Sequence, residues 1–258
     1  MALLGGLELD EARLLWLEMD GVRRLAPGPT ESIWRLVKTR DVSAVFAWSP
    51  NARVLALNDE LLSNIGLDNV TQALEKTSFY AAGAMPRIVA ALCESARNNS
   101  ALNDSARNDS GSTVIDGPIF TFPADLPLIH ADAPVICSDA FGTDRARALA
   151  RPDNWEPDEW AALVSGDLGS WAMALAGRDP VSICHTPASN DDSAEAGVWT
   201  RADYRGSGLA LATVRAWWQR ERHHRSALFY STTSDNLASR AVARKLGLVP
   251  LGWLWRVS

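Results

Sequence analysis

The sequence has few cysteines, and their placement gives no sign of a disulfide framework or a zinc site. Cys93, Cys137 and Cys184 are odd in number, widely spaced and without a CxxC pair. This usage is typical of a reducing compartment, so we expect a cytoplasmic protein that needs no metal.

Long hydrophobic runs and an excess of positive charge are also missing. No stretch approaches the roughly 18 uninterrupted apolar residues of a membrane-spanning helix, and Glu8, Asp10 and Glu11 interrupt the first apolar run. The 31 acidic residues outnumber the 25 basic ones, which gives a formal charge of -6. Nucleic-acid-binding proteins usually present a net basic face, so we expect neither a nucleic-acid nor a membrane partner.

What the chain does contain is enough apolar residues, 47% of 258, to build substantial cores. The composition changes abruptly over residues 98–112, "NNSALNDSARNDSGS", which are too polar to offset the entropy lost on ordering. We predict a polar linker or mobile loop there. It would separate an N-terminal accessory region, 1–97, from a catalytic domain, 113–258.

The N-terminal region reads as a mixture of helices and strands. Helical spacing predicts a helix over "LDEARLLWLEMDGV" and a second over "PTESIWRLVKT", capped by Thr30 with Ile33, Trp34 and Val37 on one face. The segments "AVFAW" and "RVLALN" predict a hairpin, and a further helix should begin near Pro86. We find no cluster of metal-ligand residues and no glycine-rich loop here, so we expect a packing domain or a substrate lid.

The C-terminal domain is richer in strands. Its pattern predicts several strands, then a glycine-containing loop, a helix, a strand, a helix and a last strand, "VPLGWLWRV". This order implies an α/β (α+β) fold with a mixed sheet flanked by helices.

The loop, "YRGSGLA", admits several readings on its own. A phosphate-binding P-loop needs Lys and then Ser or Thr after its last glycine, but Leu209 and Ala210 follow Gly208. A dinucleotide fingerprint needs a small residue where Leu211 stands. An ordinary tight turn stays open.

The flanks of the loop favour an anion site. A strand that ends at Thr200 and a helix that starts near Gly206 would direct free backbone N–H groups and a positive dipole end at one spot. Arg201 and Arg205 could add positive charge there.

Two motifs then resemble one family. "RGSGLA", at 205–210, resembles the R/Q-x-x-G-x-G/A signature of the GNAT superfamily of N-acetyltransferases, and "NLASRAVARKLGL", at 236–248, is similar to its N-x-A-S-x-x-x-x-x-K-L-G-F segment. The resemblance implies a GNAT-like, mostly antiparallel sheet and acetyl-coenzyme A as cosubstrate. It assigns cofactor binding to the matching positions Val198, Trp199, Thr200, Arg205, Gly206, Ser207, Gly208, Leu209, Ala210, Asn236 and Ser239.

Acetyl transfer also needs a base for the acceptor ammonium and a proton for the thiolate. Glu195 is our first candidate for the base because it lies just upstream of the implied thioester site, and His185 on the preceding strand competes with it. Cys184 lacks a setting that would activate a thiol, so we expect direct transfer.

The chain departs from the family at one position. Where many members carry a tyrosine that protonates the thiolate, this sequence has Ala243. Ser234, Tyr230 or bulk water would then supply the proton.

Acceptor contacts should come from loops that are strongly acidic. The segments "NWEPDEW" and "ASNDDSAE" carry Glu156, Asp158, Glu159, Asp191, Asp192 and Glu195 and no Lys or Arg. They favour a small cationic amine such as a polyamine or an aminoglycoside-type antibiotic. An acetyltransferase for protein N-termini or lysines, and an acetyl-coenzyme A sensor without turnover, are alternatives. A homodimer also stays open.

Overall fold

A computed structural model describes residues 3–4, 7–30, 32–37, 42–65, 67–75, 84–103 and 113–258. The helices are α1 Glu11–Arg23, α2 Asp59–Ile65, α3 Leu67–Glu75, α4 Arg87–Asn103, α5 Ala140–Ala146, α6 Pro157–Ser165, α7 Leu209–Glu221 and α8 Leu237–Leu246. The strands are β1 Leu3–Leu4, β2 Leu7–Glu8, β3 Leu25–Thr30, β4 Ile33–Leu36, β5 Ala44–Trp48, β6 Arg53–Leu57, β7 Val114–Thr121, β8 Val135–Cys137, β9 Trp171–Ala176, β10 Asp179–Ser189, β11 Ser193–Thr200, β12 Ala227–Ser231 and β13 Val249–Val257.

The chain divides into two compact units. Unit 1 holds β1, β2 and residues 120–230 and 238–249. Unit 2 holds the described residues of 9–119 together with 231–237 and 250–258. The end of the chain therefore groups with the N-terminal region by its contacts, although the sequence places 113–258 in one catalytic domain.

The larger sheet of unit 1 has the strand order β12-β11-β10-β9-β8, and β1 and β2 pair separately. Only the β11–β12 pair is parallel among the strand pairs described for this unit, and β10 is antiparallel to both of its neighbours. The predicted mixed, mostly antiparallel sheet flanked by helices is confirmed. Helix α7 packs on β9, β10 and β11, where Val214 and Trp217 are fully buried, and Leu163 of α6 is buried in a separate cluster.

Helices α5 and α6 of unit 1 have clear local boundary signals. Pro157 begins α6, whose acidic first turn suits the helix dipole, and Gly166 closes it with a left-handed φ of 89°. Asp139 caps α5 through a 2.8 Å hydrogen bond that its side chain accepts from the Gly142 N–H.

Unit 2 is built from β3, β4, β6, β5, β13 and β7, in that order. The predicted hairpin is present: β5 and β6 are antiparallel, with Ala44 opposite Leu57. The core of this unit includes α2, α3 and α4 and the alternating aromatic residues Trp253 and Trp255 of β13.

The predicted helix over "PTESIWRLVKT" is wrong. Residues 25–30 and 33–36 form the antiparallel strands β3 and β4, and Ile33 pairs with Leu55 of the parallel β6. Val37, which helical spacing placed on the buried face, is 60% exposed. Pairing with β6 outweighs the helical spacing of a short segment that begins with the prolines of "LAPGPT".

Helix α4 begins at Arg87, as predicted near Pro86, but it continues to Asn103 and so includes residues 98–103 of the predicted linker. Residues 104–112 lie outside the described residues, so the linker stays a prediction there. None of the helices in the described ranges is long and apolar enough to cross a membrane.

Candidate active site

The sheet of unit 1 opens between β11 and β12. The parallel register covers three residue pairs, from Ser193 opposite Ala227 to Glu195 opposite Phe229. On its other side β11 stays paired with β10 as far as Thr200. In the described residues the pairing with β12 therefore stops at Glu195, and the rest of β11 borders a gap.

Hydrogen bonds show which backbone groups face that gap. The Arg201 N–H donates to the Val181 carbonyl at 2.9 Å, and the Trp199 carbonyl accepts from the Ser182 hydroxyl at 3.1 Å, so these odd-numbered positions are directed at β10. Backbone groups alternate along a strand, so those of Val198 and Thr200 are directed the other way, into the gap.

The loop after β11 contains two glycines in the left-handed region, Gly206 with φ 81° and Gly208 with φ 82°. Side chains strain this conformation, which explains glycine at both positions. A Cβ added to either residue would meet nothing within 4 Å. Open space therefore lies in front of the loop where a side chain would project.

Helix α7 begins directly behind the loop with Gly208 as its N-cap, so no side chain caps it. Ala212 is the first residue whose N–H bonds back within the helix, to the Gly208 carbonyl at 3.2 Å. The N–H groups of Leu209, Ala210 and Leu211 precede that bond, and the first turn carries no acidic residue. Such an uncapped N-terminus is suited to an anion.

The two arginines of this loop have different surroundings. Arg201 makes a two-pronged ion pair with Asp203, at 2.8 and 3.0 Å, and lies over the ring of Tyr204. Arg205 is exposed, and its Nε donates to the Thr200 carbonyl at 3.3 Å. The charge of Arg201 is thus largely compensated, and Arg205 is the cation that can face a bound anion.

Loop and gap together fit coenzyme A by the chemistry of their groups. The uncapped helix start, the open space at Gly206 and Gly208 and the exposed Arg205 suit a diphosphate. The Ser207 hydroxyl donates to the Tyr204 carbonyl and so shapes the turn. The gap beside Val198 and Thr200 offers backbone groups to a slender arm that carries amides.

His185 lies on the sheet face opposite α7. It is paired across the ladder with Gly197, and its ring packs edge-on against Trp155 with centroids 5.0 Å apart. Burial lowers the pKa of His185 to about 4, although a hydrogen bond to the Gly197 backbone acts in the opposite direction. Its Nδ1 is buried and has no hydrogen-bond partner among the described residues, so the imidazole is neutral near pH 7.

Glu195 lies on the same face as His185. Ala194 and Ala196 point into the cluster under α7, while Trp199 packs in the cluster of Trp171 and Met173, so odd-numbered β11 residues share the second face. Glu195 is half-buried and lies two residues from Gly197, about 7 Å along the strand. The structure thus brings both predicted bases to one face of the sheet.

The predicted proton donors lie at two places. The Tyr230 hydroxyl is 2.6 Å from the Ser239 hydroxyl in the first turn of α8, and burial raises the pKa of Tyr230 to about 12. Ala243, one turn further along α8, is fully buried in the same cluster as Tyr230. Ser234 instead donates its hydroxyl proton to Asp116 at 3.1 Å.

The structure also shows the surroundings of Asn236 and Cys184. Asn236 directly precedes α8, and its N–H donates to the Thr233 carbonyl at 3.2 Å. Cys184 is fully buried, and burial raises the pKa of its thiol, which does not favour a nucleophile. In the part of the chain that the structure describes, no group of three or more His, Cys, Asp or Glu side chains is arranged to hold a metal ion.

Arginines from elsewhere in the chain reach the acidic loops. The Arg225 guanidinium donates to the carbonyls of Asn190 and Asp191, and Arg151 donates to the Trp155 carbonyl. Glu156, Asp158 and Glu159 are nevertheless exposed. Sequence reasoning missed Arg225 because it lies 34 and 35 positions from the carbonyls that it contacts.

Sequence reasoning also missed a group of buried hydroxyls beneath the loop. Ser182 and Thr213 are both fully buried, and Ser182 lies 2.8 Å from the Thr200 hydroxyl and 3.3 Å from that of Thr213. In the sequence they are a single serine in a strand and a single threonine in a helix, so no pattern marks them.

Comparison with known proteins agrees with this geometry. The family model described as "Acetyltransferase (GNAT) domain" matches residues 125–249. No curated protein sequence matches the chain significantly. The match indicates an acetyltransferase domain at these residues, and the protein is an acyltransferase.

Several solved structures of GNAT proteins are similar to this chain. The GCN5-related N-acetyltransferase from Kribbella flavida is 18% identical, with a TM-score of 0.46, over 96% of this chain and 94% of that chain. The GCN5-related N-acetyltransferase-like protein from Streptococcus suis 89/1591 is 17% identical, with a TM-score of 0.44, over 67% of this chain and 68% of that chain. The GNAT-family acetyltransferase from Colwellia psychrerythraea is 16% identical, with a TM-score of 0.43, over 67% of this chain and 61% of that chain.

Proposed function

We propose that this protein moves the acetyl group of acetyl-coenzyme A directly onto a primary amine of a small cationic molecule, of the polyamine or aminoglycoside type. The observation that carries the proposal is the gap in the sheet beyond Glu195, which lies beside the uncapped start of α7. Acetyl-coenzyme A supplies an activated acyl group. The protein has to bind the diphosphate and the thioester, remove a proton from the acceptor ammonium and return a proton to the departing sulfur.

The first task is binding. The N–H groups at the start of α7 and the Arg205 side chain would hold the diphosphate, since both are positive and exposed to the same open space. Val198 and Thr200 would offer backbone hydrogen bonds to the arm and the thioester oxygen. Trp199 contributes no backbone group to this gap, because its carbonyl is bonded to Ser182.

The second task is removal of a proton from the acceptor ammonium. Glu195 and His185 share the face from which an amine can approach the gap. Since His185 has a pKa of about 4, it is neutral and able to accept a hydrogen bond at neutral pH, but it is a weak base on its own. We assign Glu195 as the base, acting directly or through water, with His185 as the competing candidate.

The third task is to return a proton to the departing sulfur. The Tyr230 hydroxyl keeps its proton at neutral pH because its pKa is about 12, and it lies against Ser239. A side chain on a helix covers the turn N-terminal to its own Cα, so a tyrosine at position 243 would reach the same turn as Ser239. We assign the Tyr230–Ser239 pair as hydrogen-bond donor to the sulfur, in place of the tyrosine that many family members carry at the position of Ala243.

The small cationic acceptor is supported by charge. Glu156, Asp158 and Glu159 are exposed at the start of α6, and Trp155 and Trp160 of the same segment lie with His185 on the second face. Carboxylates with aromatic faces nearby are a common receptor for ammonium groups.

The test has two stages. Isothermal titration with acetyl-coenzyme A should show binding, and a panel of polyamines, aminoglycosides and lysine peptides should reveal turnover by release of free thiol. Faster turnover of peptides than of small amines would favour the protein acetyltransferase, and binding without any turnover would favour the sensor. Absence of binding to the wild-type protein would refute the proposal.

A further inference from the structure

We infer that Ser182 is a positioning residue that fixes the distance between the two segments that hold acetyl-coenzyme A. The inference rests on the proposed function, because those segments, 198–200 and 206–211, are its cofactor-binding parts. Ser182 itself lies on β10 and is fully buried, so it cannot touch the cofactor.

The hydrogen bonds place Ser182 between the segments. Its hydroxyl is 3.1 Å from the Trp199 carbonyl and 2.8 Å from the Thr200 hydroxyl, at the end of β11. It is also 3.3 Å from the Thr213 hydroxyl of α7. One buried side chain thus contacts both the strand that borders the gap and the helix behind the loop.

Thr213 continues the connection to the first turn of α7. Its hydroxyl is 3.1 Å from the Leu209 carbonyl and 3.2 Å from the Ala210 carbonyl. All three hydrogen bonds of Ser182 can form at once when the hydroxyls of Thr200 and Thr213 both donate to Ser182 and Ser182 donates to the Trp199 carbonyl. Each proton then has an acceptor, as a buried polar group requires.

Residues 201–208 connect the two segments through two glycines whose φ values, 81° and 82°, leave the loop without side-chain packing at those points. The buried hydroxyls provide a second, direct connection. A ligand that spans both segments depends on their spacing, whereas a ligand that contacts only the helix start does not.

This difference gives the experiment. Titration calorimetry would compare coenzyme A, which spans both segments, with 3′-phospho-ADP, which carries the diphosphate but lacks the arm. We expect Ser182→Ala to weaken binding of coenzyme A about tenfold and to change binding of 3′-phospho-ADP by less than about twofold, since one buried hydrogen-bonded group is lost.

Thr186→Val is the matched control. Thr186 lies on the same strand, is buried, and uses its hydroxyl to accept from Trp217 Nε1 at 2.9 Å and to donate to the Ser170 carbonyl at 3.1 Å. It contacts neither cofactor segment through these bonds. We expect it to lower stability as Ser182→Ala does while both ligands bind as in the wild type.

Position 213 offers a second, independent variant. Thr213→Val removes the hydroxyl at constant shape and should repeat the selective loss, and Thr213→Ser, which keeps the hydroxyl, should restore coenzyme A binding. Equal weakening of both ligands by Ser182→Ala, or unchanged binding of coenzyme A, would overturn the inference. A wild-type protein that binds neither ligand would overturn the proposed function itself, and this inference with it.

Discussion

The imidazole of His185 lies directly on the backbone of Gly197: a Cβ at position 197 would come within 2.9 Å of His185 Cε1 and 3.0 Å of Pro187 Cγ. Side chains in close-packed regions cannot absorb such contacts without moving. We expect Gly197→Ala to lower the free energy of unfolding by about 1–3 kcal/mol, measured by urea denaturation. In a His185→Ala background the cost should fall, and an equal cost in both backgrounds would show that the imidazole is not the obstacle.

His185 should also make stability depend on pH. Burial lowers its pKa from the usual 6.5 to about 4 in the folded protein. Between these values the unfolded chain binds a proton that the folded chain does not, so stability is fully present above pH 6.5 and is lost as the pH falls towards 4. The total loss should be on the order of 3 kcal/mol.

Urea denaturation at several pH values between 4.5 and 7 measures this loss, with His185→Gln as the comparison. The variant should show a flatter dependence in this window, and parallel curves for the two proteins would contradict the buried, neutral imidazole.

Gly208→Ala tests the open space before α7. Both Gly208 and Gly247 adopt a positive φ, 82° and 68°, and a Cβ at either position would meet nothing within 4 Å, so alanine there should cost about 1–2 kcal/mol of stability through backbone strain alone. Only the Gly208 change should also weaken acetyl-coenzyme A binding strongly, because its methyl group would occupy the space assigned to the diphosphate. Similar binding by the two variants would argue against that assignment.

Substitutions of Arg205 and Asp203 should change the affinity for coenzyme A in opposite directions. Arg205→Ala should weaken coenzyme A binding by about tenfold and reduce its dependence on salt, because an exposed cation near a diphosphate is lost. Asp203→Asn should strengthen binding a few-fold, since it releases the Arg201 charge that Asp203 now compensates. Titration calorimetry at two salt concentrations measures both changes. Weaker binding by Asp203→Asn would mean that the ion pair serves chiefly to hold the loop in shape.

Tyr230→Phe tests the assigned proton donor. The change removes a hydroxyl that lies 2.6 Å from Ser239 and should lower kcat about 10- to 100-fold while the KM for acetyl-coenzyme A stays near its wild-type value. Steady-state kinetics with thiol detection measures both constants. Ser234→Ala is the control from the sequence-based alternatives, because its hydroxyl donates to Asp116. Loss of activity in Ser234→Ala alone would reverse the assignment.

The loop was predictable from the sequence because its chemistry is local. Gly206 and Gly208 adopt left-handed backbone conformations that favour glycine. The helix that follows has its own apolar spacing. The strands of unit 1 were predictable for the same reason, since alternation and turn residues mark each of them.

Interactions between distant positions were not predictable. Thr213 is separated from Ser182 by 31 positions, and a lone hydroxyl in either segment carries no signal of its partner. Val37 shows the same limit in the fold, because spacing within one segment cannot reveal that the neighbouring Ile33 pairs with Leu55. The ion pair between Arg201 and Asp203 is local in the sequence. The sequence does not show whether Arg201 or Arg205 pairs with Asp203, because that depends on the conformation of the turn.

The early end of the β11–β12 register has a consequence for which molecules can enter. Two rows of backbone groups diverge from Glu195 and Phe229, and an exposed strand edge ordinarily attracts another strand. A gap that narrows to full pairing suits a thin chain that brings its own amides. The arm of coenzyme A has two such amides and no side branches along most of its length. The arm of the cosubstrate would thus serve as the missing strand of the sheet.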